Sequence, residues 1–286
     1  MGSETLSIQD FQEFVLLTVT MGSNRKAKAE VASHKRLLTI HAANRVPTFP
    51  EDDFSSYQFY DATLLSAEGQ TIHVFLKVSR GDSWRNQRLM KEAWAYGELK
   101  DIQGQHIPTC FGLYGRGFDY CLVLEHCGKS IMHLNGPDTL RTLSWDTKRA
   151  IMQSLQAIHR KHMVHHNITL TEPNIVIDEA SSSVRFIGLG RAYHLTCGFR
   201  GDINQEFGKN EEISIGCDEL QKLGRYMWIW LPAHALTWQE IKTGDVEKLL
   251  NNHPPPEYWT RDEAREDIRR AIREYHFIVR RRETGE

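Results

Sequence analysis

Residues 57–65 and 71–78 are two runs rich in apolar and other strand-forming residues, on either side of a turn that contains a glycine. Two such runs around a turn of this kind predict a β-hairpin. A helical pattern follows over residues 84–99, and two more apolar runs, residues 110–114 and 120–124, predict two further strands. The predicted order is strand, strand, helix, strand, strand.

The pattern on both sides of this β-rich part is mainly helical. Apolar residues recur at mixed helical spacing over residues 8–43, which predicts an N-terminal extension of one or two helices, and the proline-marked residues 45–53 predict a linker. Beyond residue 140 the pattern predicts three helices, at residues 144–162 with Ser144 as N-cap, 218–230 and 261–282. It also predicts two short strands, at residues 175–177 and 184–187. The fold class that follows is α+β.

Composition limits the partners. Lys and Arg total 35 against 37 for Asp and Glu, a net charge of −2, so no global field attracts nucleic acid or an anionic membrane. The C-terminal arginines are interleaved with acids, which favours a solvated helix over a nucleic-acid surface. No apolar run reaches the roughly 18 residues of a membrane span. The five cysteines form no CxxC pair, which predicts free thiols and a cytoplasmic or nuclear protein.

Two segments of the β-rich part carry candidate chemistry. Val74-Phe75-Leu76-Lys77 is a strand pattern that ends in a lysine, and Glu92 follows on the predicted helix, where its carboxylate can fix the position of an ammonium group. Glu98 is the alternative partner. The last predicted strand runs into Glu125-His126-Cys127-Gly128, and it places Leu124 just before that segment.

Two later segments complete the set of candidates. The predicted helix ending at His162 runs into His165-His166-Asn167, and Glu172 and Asn174 follow shortly after it. The strand pattern over residues 184–187 then leads into Gly188-Leu189-Gly190. Histidines at positions 159, 162, 165 and 166 have spacing that could bind a transition metal, but packing in the core or solvation is the favoured interpretation because no Cys or carboxylate nearby completes a ligand set.

Taken in this order, these segments resemble the protein-kinase-like superfamily, most closely its divergent members abundant in fungi. The resemblance implies a two-lobed fold: an extension and linker over residues 1–50, a small β-rich N-lobe and hinge over residues 51–128, and a reduced helical C-lobe with a charged C-terminal helix over residues 129–286. In that family the strand lysine contacts ATP phosphates, a helix glutamate positions the lysine, and hinge backbone groups bind adenine. Lys77, Glu92, and the hinge residues Glu125 and Cys127 take these places here.

The sequence departs from the family at the positions that perform phosphoryl transfer. Asn167 stands where the catalytic Asp is expected, and Gly188 stands where an Asp binds Mg²⁺. Asn174 matches the metal-binding Asn but lies seven residues after Asn167 instead of five, so Thr169 is the alternative equivalent of the acid. Glu172 is the nearby acid that could substitute for it. A glycine-rich phosphate loop is also missing at residues 64–69.

The resemblance therefore predicts a pseudokinase that acts as a binding or scaffold protein for an unidentified protein partner. It would bind ATP weakly and without Mg²⁺, or have no cofactor, and it would hold no metal ion. Two alternatives stay open: an active but atypical ATP-dependent phosphotransferase that uses Glu172, and a repurposed kinase-fold enzyme that uses the same cleft.

Overall fold

The strands of the first half of the chain form one large sheet in the computed structural model. The described residues are 15–21, 27–31, 40–46, 57–65, 70–131, 140, 143–169, 174–178, 181–201, 203, 216–227, 229, 244–252, 260–262, 265–266, 268–269, 272–273, 276 and 280. The sheet has seven antiparallel strands: β1 (Val15–Met21), β2 (Ala27–Val31), β3 (Ile40–Arg45), β4 (Tyr57–Leu65), β5 (Thr71–Ser79), β6 (Cys110–Arg116) and β7 (Asp119–Glu125). Their order across the sheet is β2-β1-β6-β7-β5-β4-β3.

The predicted hairpin and the two strands after the helix are confirmed. β4 and β5 pair antiparallel over their whole lengths, with Phe59 opposite Lys77. β5 also pairs with β7, which places Leu122 opposite Lys77 on the other side. The strand that carries Lys77 is therefore an interior strand of the sheet.

The predicted N-terminal helices are wrong for the described residues, which form strands β1, β2 and β3. β1 has the sequence Val-Leu-Leu-Thr-Val-Thr-Met, and β-branched residues favour strands because their side chains pack well on a pleated surface. β1 joins the sheet by pairing with β6, with Leu17 opposite Leu113. β2 then pairs with β1 in a hairpin, so two strands extend the sheet where helices were expected.

Helix α1 (Ser83–Glu98) confirms the predicted helix to within one residue at each end. Its N-cap is Asp82, whose carboxylate accepts hydrogen bonds from the backbone N–H groups of Trp84 at 2.8 Å and Arg85 at 3.2 Å. Its buried residues recur at helical spacing: Asn86, Leu89, Met90, Glu92, Ala95 and Tyr96. A carboxylate therefore lies on the buried face of the helix, where it needs a partner.

Alternation along β5 separates the core from the surface that carries the lysine. Val74, Leu76 and Val78 are fully buried and belong to the core cluster on one face of the sheet. Phe75 and Lys77 are partly buried and lie on the opposite face, because successive strand side chains point to opposite sides. Lys77 thus shares a face with Phe75.

The rest of the chain contains short strands and helices. A second sheet has the order β11-β10-β8 and a third pairs β12 with β9; their strands are β8 (Lys129–Ser130), β9 (Met163–Val164), β10 (Ile175–Asp178), β11 (Ser183–Phe186) and β12 (Tyr193–His194). The helices are α2 (Trp145–Arg160), α3 (Asp218–Tyr226) and α4 (Val246–Asn252). Of these elements, β10, β11, α2 and α3 lie in predicted positions, and β8, β9, β12 and α4 were not predicted. The Ser144 hydroxyl accepts a hydrogen bond from the Thr147 N–H at 3.1 Å, which confirms the predicted cap of α2. α3 ends earlier than predicted, and Trp228 and Trp230 lie outside the described residues.

The chain divides into two compact units. The first contains residues 1–139 and 153–197, and the second contains residues 140–152 and 198–286. In the second unit, the described positions between residues 261 and 280 are helical, and Arg265 and Arg273 form ion pairs with Glu247 and Glu266. The predicted boundaries at residues 50 and 128 stay a prediction. Within the described residues, no helix combines the length and apolar character needed to cross a membrane.

Candidate functional site

The predicted pair of Lys77 and Glu92 is in contact. The Lys77 Nζ lies 2.7 Å from the Glu92 Oε2, and the side chains are 16% and 3% exposed. β5 supplies the lysine and the buried face of α1 supplies the carboxylate, so the ion pair joins the sheet to the helix. The alternative partner, Glu98, instead lies 3.4 Å from the Nε2 of His194. The structure therefore distinguishes the two acids that the sequence left open.

Tyr57, to which the sequence assigned no role, covers the same lysine. The Lys77 Nζ lies 4.5 Å from the centroid of the Tyr57 ring, a cation–π distance. The Tyr57 hydroxyl donates a hydrogen bond to the Arg85 carbonyl in the first turn of α1 at 3.1 Å. Burial, followed by the negative charge of Glu92, raises the pKa of Tyr57 to about 12, so the phenol stays protonated and able to donate.

The predicted catalytic-loop histidine, His165, has a structural place. It is fully buried, its Nε2 lies 2.8 Å from the Ile187 carbonyl oxygen, and its Nδ1 lies 3.3 Å from the Asn167 N–H nitrogen. Because the backbone N–H must donate, Nδ1 accepts and Nε2 carries the proton. Both ring nitrogens are hydrogen-bonded, so His165 holds the loop against the segment after β11 and has no nitrogen left for a metal ion.

Asn167, Asn174 and Gly188 come together in the structure. The Asn174 side-chain amide donates a hydrogen bond to the Asn167 carbonyl at 2.7 Å, and the Asn174 carbonyl accepts one from Ile187 at 2.9 Å. Gly188 has a left-handed backbone with φ of 73°, and a Cβ placed there would lie 2.5 Å from the Asn174 Oδ1. Thr169 is described and Glu172 is not, so the roles predicted for these two residues stay predictions.

The turn after Gly188 connects these residues to the ion pair. A Cβ placed at Gly190 would lie 3.4 Å from the Glu92 Oε2 and 3.2 Å from the Arg88 carbonyl oxygen. Residues 188–190 therefore run from Asn174 to the buried carboxylate of α1. The lysine, the glutamate, the two asparagines and Gly188 form one continuous site within the first compact unit, and we call these five residues the cleft set.

Glu125, in the predicted hinge at residues 125–128, pairs with Arg185, a residue that the sequence did not single out. Arg185 is 13% exposed; its Nη2 lies 3.4 Å from the Glu125 Oε1 and donates a hydrogen bond to the Gly104 carbonyl at 2.7 Å. The other Glu125 oxygen accepts a hydrogen bond from the Thr109 N–H at 2.9 Å. The sequence did contain a signal for this contact: Arg185 lies inside the apolar pattern of β11, and a largely buried guanidinium requires a polar partner.

The thiol of Cys127, in the predicted hinge, is expected to react slowly. Burial, reinforced by the nearby Glu125 carboxylate, raises the pKa of Cys127 to about 12, and burial raises the pKa of Cys110 to about 12. Since the thiolate is the reactive form, we expect iodoacetamide at pH 7.5 to label both cysteines at least about 100-fold more slowly in the folded chain than in urea. Peptide mass spectrometry checks this, and labelling of folded Cys127 at the unfolded rate would contradict it.

The carboxylates of this site are already paired. Among the described residues that line it, Glu92 is bound to Lys77 and Glu125 to Arg185. A carboxylate held in an ion pair is a poor ligand for Mg²⁺, because its negative charge is already compensated. Among the described residues of this site, these two carboxylates are therefore committed to ion pairs.

No protein-family model matches this chain, and no curated protein sequence matches it.

Proposed function

We propose that this chain is a kinase-like protein that binds ligands or partner proteins without transferring phosphate. The observation that carries the proposal is the 2.7 Å ion pair between Lys77 and the buried Glu92, next to a site whose two acid positions hold Asn167 and Gly188. In kinases the equivalent lysine and helix glutamate must pair for the site to be competent. Here the pair remains while the acids are replaced.

Element order supports the kinase-like assignment. The lysine lies on β5, the third of three consecutive antiparallel strands, and its glutamate lies on the helix that follows directly. Protein kinases carry their ATP-anchoring lysine on the third strand and its partner on the next helix. In this element order the phosphate loop, predicted to be missing at residues 64–69, corresponds instead to the connection between β3 and β4, residues 46–56. That connection contains no glycine, so it lacks the residue type that lets backbone approach phosphate closely.

The paired carboxylates support the non-transferring part of the proposal. Mg²⁺ bound with nucleotide relies on oxygen ligands from side chains, and at Gly188 the side chain is a hydrogen atom. Asn167 carries an amide, which cannot accept the proton of an acceptor hydroxyl as an aspartate does. A scaffold role needs neither group, because it depends on shape and on the packed cleft set.

An atypical phosphotransferase is the second candidate, and the intact ion pair is the observation that favours it. A kinase fold that had lost all use of nucleotide would have no need for a buried lysine beside a buried glutamate. In this alternative a carboxylate outside the described residues, such as Glu172, would supply the missing acid.

A thermal-shift titration separates the two candidates, because a ligand of the native state raises the melting temperature by mass action. The chain is heated with ATP and Mg²⁺, and with ATP and EDTA. We expect the same melting temperature in both, and Lys77→Met measured in parallel shows which part of any shift depends on the cleft. A rise of several degrees that requires Mg²⁺ and disappears in Lys77→Met would instead support the phosphotransferase.

A further inference from the structure

We propose that Tyr57 determines the ligand specificity of the cleft by covering Lys77 and excluding phosphate groups from it. The inference rests on the proposed function, since it takes the cleft around Lys77 as the ligand site. It goes beyond that function by naming the class of ligand that the cleft accepts: molecules that bind without a phosphate group next to Lys77.

The ammonium group of Lys77 has two close neighbours, Glu92 and Tyr57. On one side the Nζ lies 2.7 Å from the Glu92 carboxylate, and on another it lies 4.5 Å from the centroid of the Tyr57 ring. The ammonium is a compact charge with three donors, and phosphate oxygens need both its charge and direct access to it. Kinases bind ATP with the equivalent ion pair formed, so Glu92 alone does not exclude phosphate, whereas the Tyr57 ring occupies a direction of approach to the ammonium.

The position of Tyr57 is fixed at both ends of its side chain. In the pairing of β4 with β5, Phe59 lies opposite Lys77, so these two side chains share a face of the sheet. Tyr57 precedes Phe59 by two residues, so strand alternation places its ring on the same face as the lysine. The Tyr57 hydroxyl is anchored on the Arg85 carbonyl at 3.1 Å. The ring therefore spans from the sheet to α1 and is held over the ammonium.

Two more aromatic rings, those of Phe59 and Phe75, lie in a row with Tyr57 on the face of the sheet that carries Lys77. The centroids of Tyr57 and Phe59 are 6.5 Å apart, and those of Phe59 and Phe75 are 5.6 Å apart with the rings nearly parallel. Kinases have a small alanine two residues before the lysine, in the pattern Val-Ala-Ile-Lys, where this chain has Phe75. The face next to Lys77 is apolar and aromatic, which suits an uncharged flat ligand better than a polyphosphate.

The experiment compares ATP with adenosine, both in EDTA, by isothermal titration calorimetry on the full chain. We expect the wild type to bind ATP no more tightly than adenosine. In Tyr57→Leu the uncovered ammonium should raise the affinity for ATP at least about tenfold while the affinity for adenosine changes less than about threefold. Adding Lys77→Met to Tyr57→Leu should remove the gain.

Trp84→Leu is the matched control. Trp84 is an exposed aromatic residue that packs on a basic side chain, with the Arg88 Cζ 5.4 Å from its ring centroid, but it does not contact Lys77. Its replacement should leave the preference between ATP and adenosine unchanged. Tyr57→Phe keeps the ring and loses the anchor on Arg85, so it should give a smaller gain and provides a milder variant if Tyr57→Leu folds poorly.

Three results would overturn the inference: tight, Lys77-dependent ATP binding by the wild type, an unchanged ATP affinity in a folded Tyr57→Leu, or a gain that survives Lys77→Met. None of these results bears on whether Mg²⁺ stabilises the chain. Failure of the inference is therefore distinguishable from failure of the proposed function, which the Mg²⁺-dependent thermal shift reports separately.

Discussion

Replacing Lys77 with methionine is expected to lower the free energy of unfolding by about 3 kcal/mol, because it leaves the carboxylate of Glu92 buried without its partner. Glu92 is 3% exposed and its bond to Lys77 is 2.7 Å long, so water cannot replace the ammonium. Urea unfolding followed by tryptophan fluorescence measures the change as a lower midpoint at constant slope.

The double variant Lys77→Met/Glu92→Leu shows whether the stability lost in Lys77→Met comes from the unpaired buried charge or from lost packing. Removing both charges should recover most of the lost stability, since a buried ion pair can be replaced by apolar residues at little cost. The matched control is Lys161→Met, which breaks a 2.9 Å ion pair with Asp101 in which both side chains are more than a third exposed. It should leave the urea midpoint nearly unchanged. Equal losses in Lys77→Met and Lys161→Met would contradict the structure of the site.

Replacing Gly128 with alanine is expected to lower the free energy of unfolding by about 4 kcal/mol, because the hinge backbone lies directly against β10. A Cβ at this position would lie 2.3 Å from the Ile177 carbonyl oxygen and 2.8 Å from the Asp178 Cα, and the φ of Gly128 is +104°. The obstructing atoms belong to the backbone, so no side-chain rotation relieves the contact.

Gly117→Ala provides the control for backbone conformation. Gly117 also has a positive φ, of +59°, but nothing lies within 4 Å of a Cβ placed there. It should cost only about 1 kcal/mol, the usual penalty of a left-handed alanine. The difference between the two variants in urea unfolding reports the contact of Gly128 with β10 together with its φ of +104°, which is less favourable for alanine than the +59° of Gly117. If both cost the same, the hinge does not pack against β10 as described.

The strands and helix around Lys77 could be predicted because each has a sequence pattern of its own. β4 is rich in strand-forming residues, β5 alternates between buried and more exposed positions, and α1 buries residues at helical spacing. The pairing of Lys77 with Glu92 was implied by the family resemblance. β2 could not be predicted in this way. Its sequence Ala-Lys-Ala-Glu-Val is rich in helix-forming residues, and it becomes a strand through pairing with β1, a tertiary effect.

The parts of the site that sequence analysis missed depend on register and on loops. Tyr57 reaches Lys77 because β4 pairs with β5 in one register, and a shift by one residue would place the ring on the other face. The bond between Asn174 and the Asn167 carbonyl joins two positions of a loop without a repeating pattern. Asn167, Asn174 and Gly188 were identified as candidates by resemblance, whereas their mutual contacts required the structure.

Transfer of the γ-phosphate is the activity that this chain is proposed to lack. The chain is incubated with γ-³²P-labelled ATP and Mg²⁺ or Mn²⁺, alone and with general protein acceptors, and labelled protein and released phosphate are both quantified beside Lys77→Met. We expect no labelled product above the level of Lys77→Met, because Asn167 and Gly188 supply neither a base nor a metal ligand. Labelled phosphate that accumulates over many turnovers and is lost in Lys77→Met would contradict the proposal.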